Sequence, residues 1–411
     1  MRSGNASKPK VVWKEFLPAF IVAFNSLTWI TLTYAMFNNS ISNLYVSTIE
    51  TLVLFAAYYA GVAGSCILGS IICPRARKIS FLLWMLAGAV VSTLLTTIAT
   101  NSTSVNILIS LFLGISVGFG LPSCLAYFAD VTSVENRGMH GGITWSAVGF
   151  GTLLLVLLIS AINSVLAFLA LAAWRGLGLI AFFFTRNKAK IQSTRNPSAY
   201  SSILRRREVI LYLVPWIMFC LVNFMEAPML ENLFGEFFIF VGFIEFAISG
   251  LFALVGGILA DLVGRKRIIM TGFVVLGIEY AVLSLLSEMP VSWYLYTAFD
   301  GIAWGMFASV FFMTLWGDLA GKYEKEKYYL VGGLPYLLAS FLSVLVKPYV
   351  GIIPLGTAFS LASFFLFLAV LPLMYAPETL PEKKIQLRRL RGYVEVAKKI
   401  REKYTKRVNK D

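Results

Sequence analysis

The sequence is short of charge. Asp, Glu, Lys and Arg supply 14% of its 411 residues, against about a quarter in a soluble globular domain. Histidine is nearly missing, with His140 alone, and cysteine is limited to Cys66, Cys73, Cys124 and Cys220. One histidine and four scattered thiols make no clustered metal-ligand set. Thiols in or at the ends of apolar segments are packing residues rather than a disulfide framework. No Gly-rich phosphate loop and no nucleophile–base–acid set occurs, so no cofactor, metal or catalytic residue is expected. Alternating ten-residue segments of the kind that build a transmembrane β-barrel are also missing. The N-terminus is polar up to Lys14, and the first apolar run is too long for a cleavable leader.

Apolar residues, by contrast, are plentiful. The chain is 58% hydrophobic, with a mean hydropathy of +0.77. Runs such as FLLWMLAGAVVSTLLTTIA, residues 81–99, are long enough to cross a ~30 Å hydrocarbon layer as a helix. Twelve segments of this kind occur, at about 16–38, 49–72, 80–100, 105–129, 141–162, 164–185, 209–230, 237–260, 268–287, 292–316, 328–347 and 353–375. The stretch from Gly141 to Phe184 is too long for one span, and Asn163-Ser164 is its best turn. The expectation is an all-α integral membrane protein.

The net charge of +14 could suggest nucleic acid, but its distribution argues against that. Bases fall at the N-terminus (Arg2, Lys8, Lys10, Lys14), in the second loop (Arg75, Arg77, Lys78) and in the fourth (Arg137). They recur in the central loop (Arg186 to Arg207), the eighth loop (Arg265, Lys266, Arg267), the tenth loop (Lys322, Lys325, Lys327) and the tail. The alternate loops hold almost none, Lys347 excepted. Basic loops stay cytoplasmic, so both termini are expected in the cytoplasm and the chain in the cell membrane, in contact with its lipids. The tail from 377 to 411 could lie as a basic amphipathic helix on anionic headgroups or remain solvated.

An internal repeat runs through the chain. Shifted by 188 residues, Gly69 falls on Gly257, Ala76 on Gly264, Arg77 on Arg265, Lys78 on Lys266 and Asp130 on Asp318. Parallel repeats of this kind occur in transporters whose halves rock about a central site. The expected organisation is a six-helix bundle over 1–185, a basic linker over 186–208, a second bundle over 209–376 and a basic tail over 377–411. The fold expected is thus twelve transmembrane helices in two pseudo-symmetric six-helix bundles.

GILADLVGRKR, from Gly257 to Arg267, resembles the G-x-x-x-D-x-x-G-R-K/R signature of the major facilitator superfamily, which follows the second and eighth helices there. The first-half copy is degenerate, with Cys73 in place of the Asp and Pro74 intruding. Asp130 to Gly138 resembles the family's loop after helix four. Ala376-Pro377-Glu378-Thr379 resembles the segment after helix twelve in sugar-porter-like members. The resemblance implies a secondary transporter, with the signature acting as a conformational latch.

Physical reasoning reads the turn the same way. Asp261 at a helix end can accept hydrogen bonds from the free N–H groups of a neighbouring helix start. Gly264 can take a positive φ at the corner. Arg265 can pair with a carboxylate across the face, Asp318 being a candidate. With Cys73 unable to act as Asp261 does, Asp130 with Arg137 is expected to carry the switching contact of the first half. Gly257, Lys266 and these residues form the expected latch.

Ionisable residues inside spans are functional candidates by default. Five occur: Arg175, Glu226, Glu245, Glu279 and Asp300. Glu245 and Asp300 lie roughly 12 Å, and Glu226 roughly 9 Å, from the outer ends of their helices at the helical rise. In the resembled fold, helices seven, eight and ten border the central cavity and helices six and nine lie outside. Glu226, Glu245 and Asp300 are therefore expected to bind protons or a cationic substrate. Arg175 is expected to pair with a carboxylate, bind an anionic substrate or serve structure. Asn25, Thr28 and Tyr34 of the first span are expected at the cavity; Trp304 of the tenth could join them, but aromatics at this density usually face lipid or the interface, and it is not counted as a site residue. The fourth span has no Arg, the fifth no Gly-Pro pair and the seventh no Gln-Leu-Ser, so no substrate class transfers from the resemblance.

The reading is a monomeric secondary transporter, not an enzyme, that moves a small organic solute by alternating access with protons as the coupling partner. The alternative is a non-transporting ligand sensor that signals through its basic tail.

Overall fold

The computed structural model describes residues 13–44, 47–185, 199–321 and 324–381, with isolated tail positions between 386 and 398. Arg2, Lys8 and Lys10, the linker bases Arg186, Lys188, Lys190 and Arg195, Lys322, and nearly all of the tail after 381 lie outside the described residues. Within them, every regular element is helical.

Twelve helices are long and apolar enough to cross a membrane. In the first half they are α1 (Trp13–Ser42), α2 (Thr48–Arg75), α3 (Arg77–Thr97), α4 (Thr103–Val131), α5 (Arg137–Ile159) and α6 (Ser164–Phe183). In the second half they are α7 (Arg207–Phe234), α8 (Val241–Val263), α9 (Arg265–Leu286), α10 (Pro290–Leu319), α11 (Lys325–Tyr349) and α12 (Leu355–Tyr375). The chain is a multi-pass membrane protein.

Local chemistry fixes the turns. Asn163 caps α6, its side-chain oxygen accepting from the Leu166 N–H at 2.9 Å, which satisfies one of the free donors of a helix start. Ser47 and Glu50 form a capping box at α2, with Glu50 N–H donating to Ser47 Oγ at 3.2 Å and Ser47 N–H to Glu50 Oε2 at 2.9 Å. Gly264 turns α8 into α9 at φ +107°.

Two helices are irregular. α4 is interrupted between Gly118 and Leu121, where Pro122 begins the second piece. α10 runs as α-helix to Phe307 and as π-helix over Ala308–Leu315, then closes with Trp316–Leu319. Thr314 Oγ1 donates five residues back to Ser309 O at 2.7 Å, in keeping with the wider π turn.

α1–α6 and α7–α12 each pack as a bundle, and the halves meet along α5–α8 and α2–α11. The α5–α8 crossing is a backbone contact. A Cβ on Gly257 would overlap the Gly138 carbonyl oxygen, and one on Gly142 the Ala253 carbonyl oxygen. Small residues let membrane helices approach this closely.

Candidate functional site

A central cavity of about 410 Å³ lies between the halves, within the range of small-molecule sites. Its first-half wall is α1 (Leu27, Ile30, Thr31, Tyr34), the kinked part of α4 (Leu121, Pro122, Leu125) and Trp145 of α5. Its second-half wall comes from α7, α8, α10 and α11 and carries Glu245, Asp300, Trp304 and Tyr336. Trp145 stacks on Phe312 across the halves, ring centroids 5.5 Å apart. Tyr34 Oη meets Tyr59 Oη at 2.7 Å, and Ser340 of α11 donates to Tyr59 Oη at 2.8 Å.

Asp300 is 4% exposed, and Glu245 is half-buried with Oε1 unpartnered. Tyr296 lines the same wall as the two carboxyls. Among the described residues no Lys, Arg or His lines the cavity.

Several expected residues sit elsewhere. Asn25 does not line the cavity. Its amide donates to Trp174 O at 2.7 Å and its Oδ1 accepts from Arg175 at 3.1 Å. The reason is helical phase: Leu27, Thr31 and Tyr34 share the cavity face, and residue 25 points the other way at 3.6 residues per turn. Thr28 is off that face too. Asn25 fits there because Gly178 of α6 leaves its side-chain space empty.

Arg175 is fully buried. Its guanidinium lies between Trp29 and Trp84, 4.8 and 4.5 Å from their ring centroids, and donates to Ser26 Oγ at 2.5 Å. No carboxylate pairs with it among the described residues. The aromatic faces neutralise the cation in place, and it does not reach the cavity. Glu226 is buried beside the cavity but not in its wall, because α7 turns Asn223, Ala227 and Leu230 inward instead. Glu279 of α9 was expected on the outside of the bundle. It is 1% exposed, with both carboxyl oxygens unpartnered.

At the end of the bundle that carries the basic loops, ion pairs join the halves. Asp318 accepts from Arg265 Nε at 3.1 Å and from Arg137 of the other half. Asp130 accepts from Arg77 at 2.8 Å and from Lys325 of the other half at 2.7 Å. The expected Asp130–Arg137 pair therefore does not form, since each aspartate takes its second base from across the interface. Lys325 stands 188 residues after Arg137, so the two cross-pairs are related by the repeat.

Asp261 accepts from Gly138 N–H at 3.0 Å and Met139 N–H at 2.7 Å, at the start of α5. Arg265 adds 2.6 Å to Asp261 and 2.7 Å to Val134 O. On the other side Cys73 has no carboxylate, and Arg77 pairs instead with Glu326 of α11. Glu326 stands 188 residues after Gly138. The missing acid is thus supplied from the opposite helix start, and the degenerate copy still reaches across the halves. Sequence reasoning missed Glu326, whose one signal is its repeat partnership with Gly138.

Glu378 accepts from Arg265 N–H at 2.8 Å and Lys266 N–H at 3.2 Å, capping α9. Lys266 Nζ donates to Met374 O at 2.7 Å and Ala376 O at 3.0 Å. A Cβ on Gly264 would strike the Glu378 carboxylate. Gly264→Ala is expected to cost about 1–3 kcal/mol through its positive φ alone. The check is the temperature at which the four buried thiols become reactive to a maleimide dye; a variant that melts with the parent refutes it.

Two helical bundles related by the repeat enclose the cavity, and ion pairs join them at one end. No family model and no curated protein matches the sequence. Solved structures do match. The proton:xylose symporter XylE of the major facilitator superfamily, bound to 6-bromo-6-deoxy-D-glucose, is 14% identical, with 90% of this chain and 96% of that chain covered and a TM-score of 0.67. A variant of the E. coli fucose:proton symporter FucP is 10% identical, covering 89% and 99%, at 0.68. A double-tryptophan mutant of XylE is 16% identical, covering 92% and 98%, at 0.65. The chain has the major facilitator superfamily fold.

Proposed function

We propose that the protein is a secondary transporter of the cell membrane that moves a small organic solute by alternating access. The observation that carries this reading is the cavity between the halves, with Glu245 and Asp300 in its wall, and an end of the bundle joined by cross-half ion pairs. The positive-inside rule puts that end and both termini in the cytoplasm. The conformation is then the one shut toward the cytoplasm. Opening requires Asp130, Asp318 and Glu326 to release their partners, and Asp261 to leave the start of α5.

Proton coupling follows from the cavity acids. Glu245 and Asp300, on α8 and α10 in one wall of the cavity, are the groups placed to take up and release a proton as the cavity's access changes. The similar folds of two proton-coupled symporters, XylE and FucP, support this mode of energisation.

The test is solute uptake into proteoliposomes with and without an imposed pH gradient. Asp300→Asn and Glu245→Gln are each expected to reduce gradient-driven uptake by about tenfold or more, the result of losing ~1.4 kcal/mol. Uptake that both variants leave intact would sink the coupling. No saturable flux for any solute, despite ligand binding, would sink transport itself.

A further inference from the structure

Charge and hydrogen-bonding capacity in the cavity wall narrow the substrate. The wall holds two carboxylic acids, Glu245 and Asp300, and no basic side chain among the described residues. The nearest buried cation in the first half, Arg175, is enclosed by Trp29 and Trp84 and faces away. Glu245 Oε1 is buried without a partner. The two acids project from α8 and α10 of one half, so the negative charge is concentrated on one side.

The rest of the wall is apolar in the main and rich in aromatics. Nine aromatic side chains line the cavity, enough to enclose a ligand rather than touch it at one edge. Trp145 and Trp304 are among them, and a tryptophan face attracts a cation more strongly than any other ring. Elsewhere in the first half the protein already holds a cation this way, with Arg175 between two tryptophans.

Neutral hydrogen-bonding groups are few and mostly committed. Thr31 donates to Leu27 O at 3.0 Å, Tyr329 to Met313 O at 2.7 Å, and Tyr34 pairs with Tyr59 at 2.7 Å. Asn223, Ser249, Tyr296 and Tyr336 remain to serve a ligand. A sugar presents a hydroxyl on nearly every carbon, and each one buried without a partner is disfavoured. An anion would face two carboxylates with nothing to neutralise it.

We infer that the cavity takes an amphipathic organic cation, an amine or quaternary ammonium carried on an apolar or aromatic body, with its charge at Glu245 and Asp300 and its body against the aromatic wall. This rests on the reading of the cavity as the transport site, and it departs from the sugars carried by the proteins of similar fold.

The experiment is calorimetric titration of the purified full chain in detergent with four probes of comparable size. These are benzyltrimethylammonium, the uncharged N,N-dimethylbenzamide, phenylacetate and D-xylose. Benzyltrimethylammonium is expected to bind at least about tenfold more tightly than the other three, as one charge-assisted contact supplies. Glu245→Gln and Asp300→Asn should each weaken it by about tenfold on the same basis, with Glu245→Asp recovering part of the loss. Trp304→Leu should weaken it and Trp304→Phe should largely restore it. Unaltered melting of the ligand-free variants shows that they fold, and the Asp and Phe replacements keep the test open if a harsher variant does not.

The cation assignment is overturned if D-xylose or the uncharged amide binds as tightly as the ammonium. It is also overturned if neither acid variant changes cation affinity. Proteoliposome flux separates this inference from the function it rests on. Cation binding without flux overturns transport and leaves the site, whereas flux of D-xylose but not of the ammonium overturns the cation and leaves transport.

Discussion

Asp318→Ala is expected to destabilise the protein by about 3–5 kcal/mol, the usual result of removing one partner from a buried ion pair. Asp318 is the shared acceptor for Arg137 and Arg265, whose side chains are 3% and 0% exposed. Without it both guanidiniums stay buried with less neutralising charge. Arg265 retains Asp261, whereas Arg137 retains only Thr132 and backbone carbonyls. Arg137 therefore drives the loss. Asp318→Asn should cost less, because an amide oxygen can still accept one hydrogen bond.

The structure offers its own reporter. Cys73 is fully buried at the basic end of α2. With Cys66, Cys124 and Cys220 replaced by serine, labelling of Cys73 below the melting temperature measures opening of that end. Asp318→Ala should speed the labelling and lower the melting temperature together. Melting and labelling rates equal to the parent's would show that the ion pairs do not hold the end shut.

Gly257→Leu should have the second large effect. The added side chain meets backbone, the Gly138 carbonyl and the Gly142 Cα, and backbone cannot move aside as a rotamer can. Overpacking costs roughly 1–3 kcal/mol when side chains can adjust, and here the halves themselves must part. Asp261 lies one helical turn further along α8, and its bonds to Gly138 and Met139 would be lost with the approach. The expected outcome is a folded protein with transport at background and Cys73 labelled rapidly. Gly250→Ala, on the same helix with no atom nearer than 3.5 Å to the added Cβ, should behave as the parent. Equal behaviour of the two variants would show that the α5–α8 crossing is not a closure contact.

Much of the fold was legible because each span must be apolar over its whole length. A run such as FLLWMLAGAVVSTLLTTIA has no other stable use in water, and Asn163 marked its own turn through capping chemistry. The repeat was legible because Arg77, Arg265, Asp130 and Asp318 recur at one spacing. The site was less legible. Intramembrane charge flagged Glu245 and Asp300, which the cavity wall includes, but flagged Glu226, Glu279 and Arg175 equally, which it does not.

What separates those residues is helical phase and helix neighbours, and a single span of uniformly oily sequence encodes neither. Asn25 and Tyr34 are both polar residues of α1, yet only the turn of the helix against α6 sends one to Arg175 and the other to the cavity. Sequence by itself determined the twelve helices, their grouping by repeat and the charge asymmetry of the loops, because the membrane imposes these locally. Only the tertiary structure decided the crossed pairing at the basic end. Glu326 takes the place of the acid missing at Cys73, and Arg137 crosses to Asp318, because helix ends of the two halves meet there although 249 and 181 residues separate the partners.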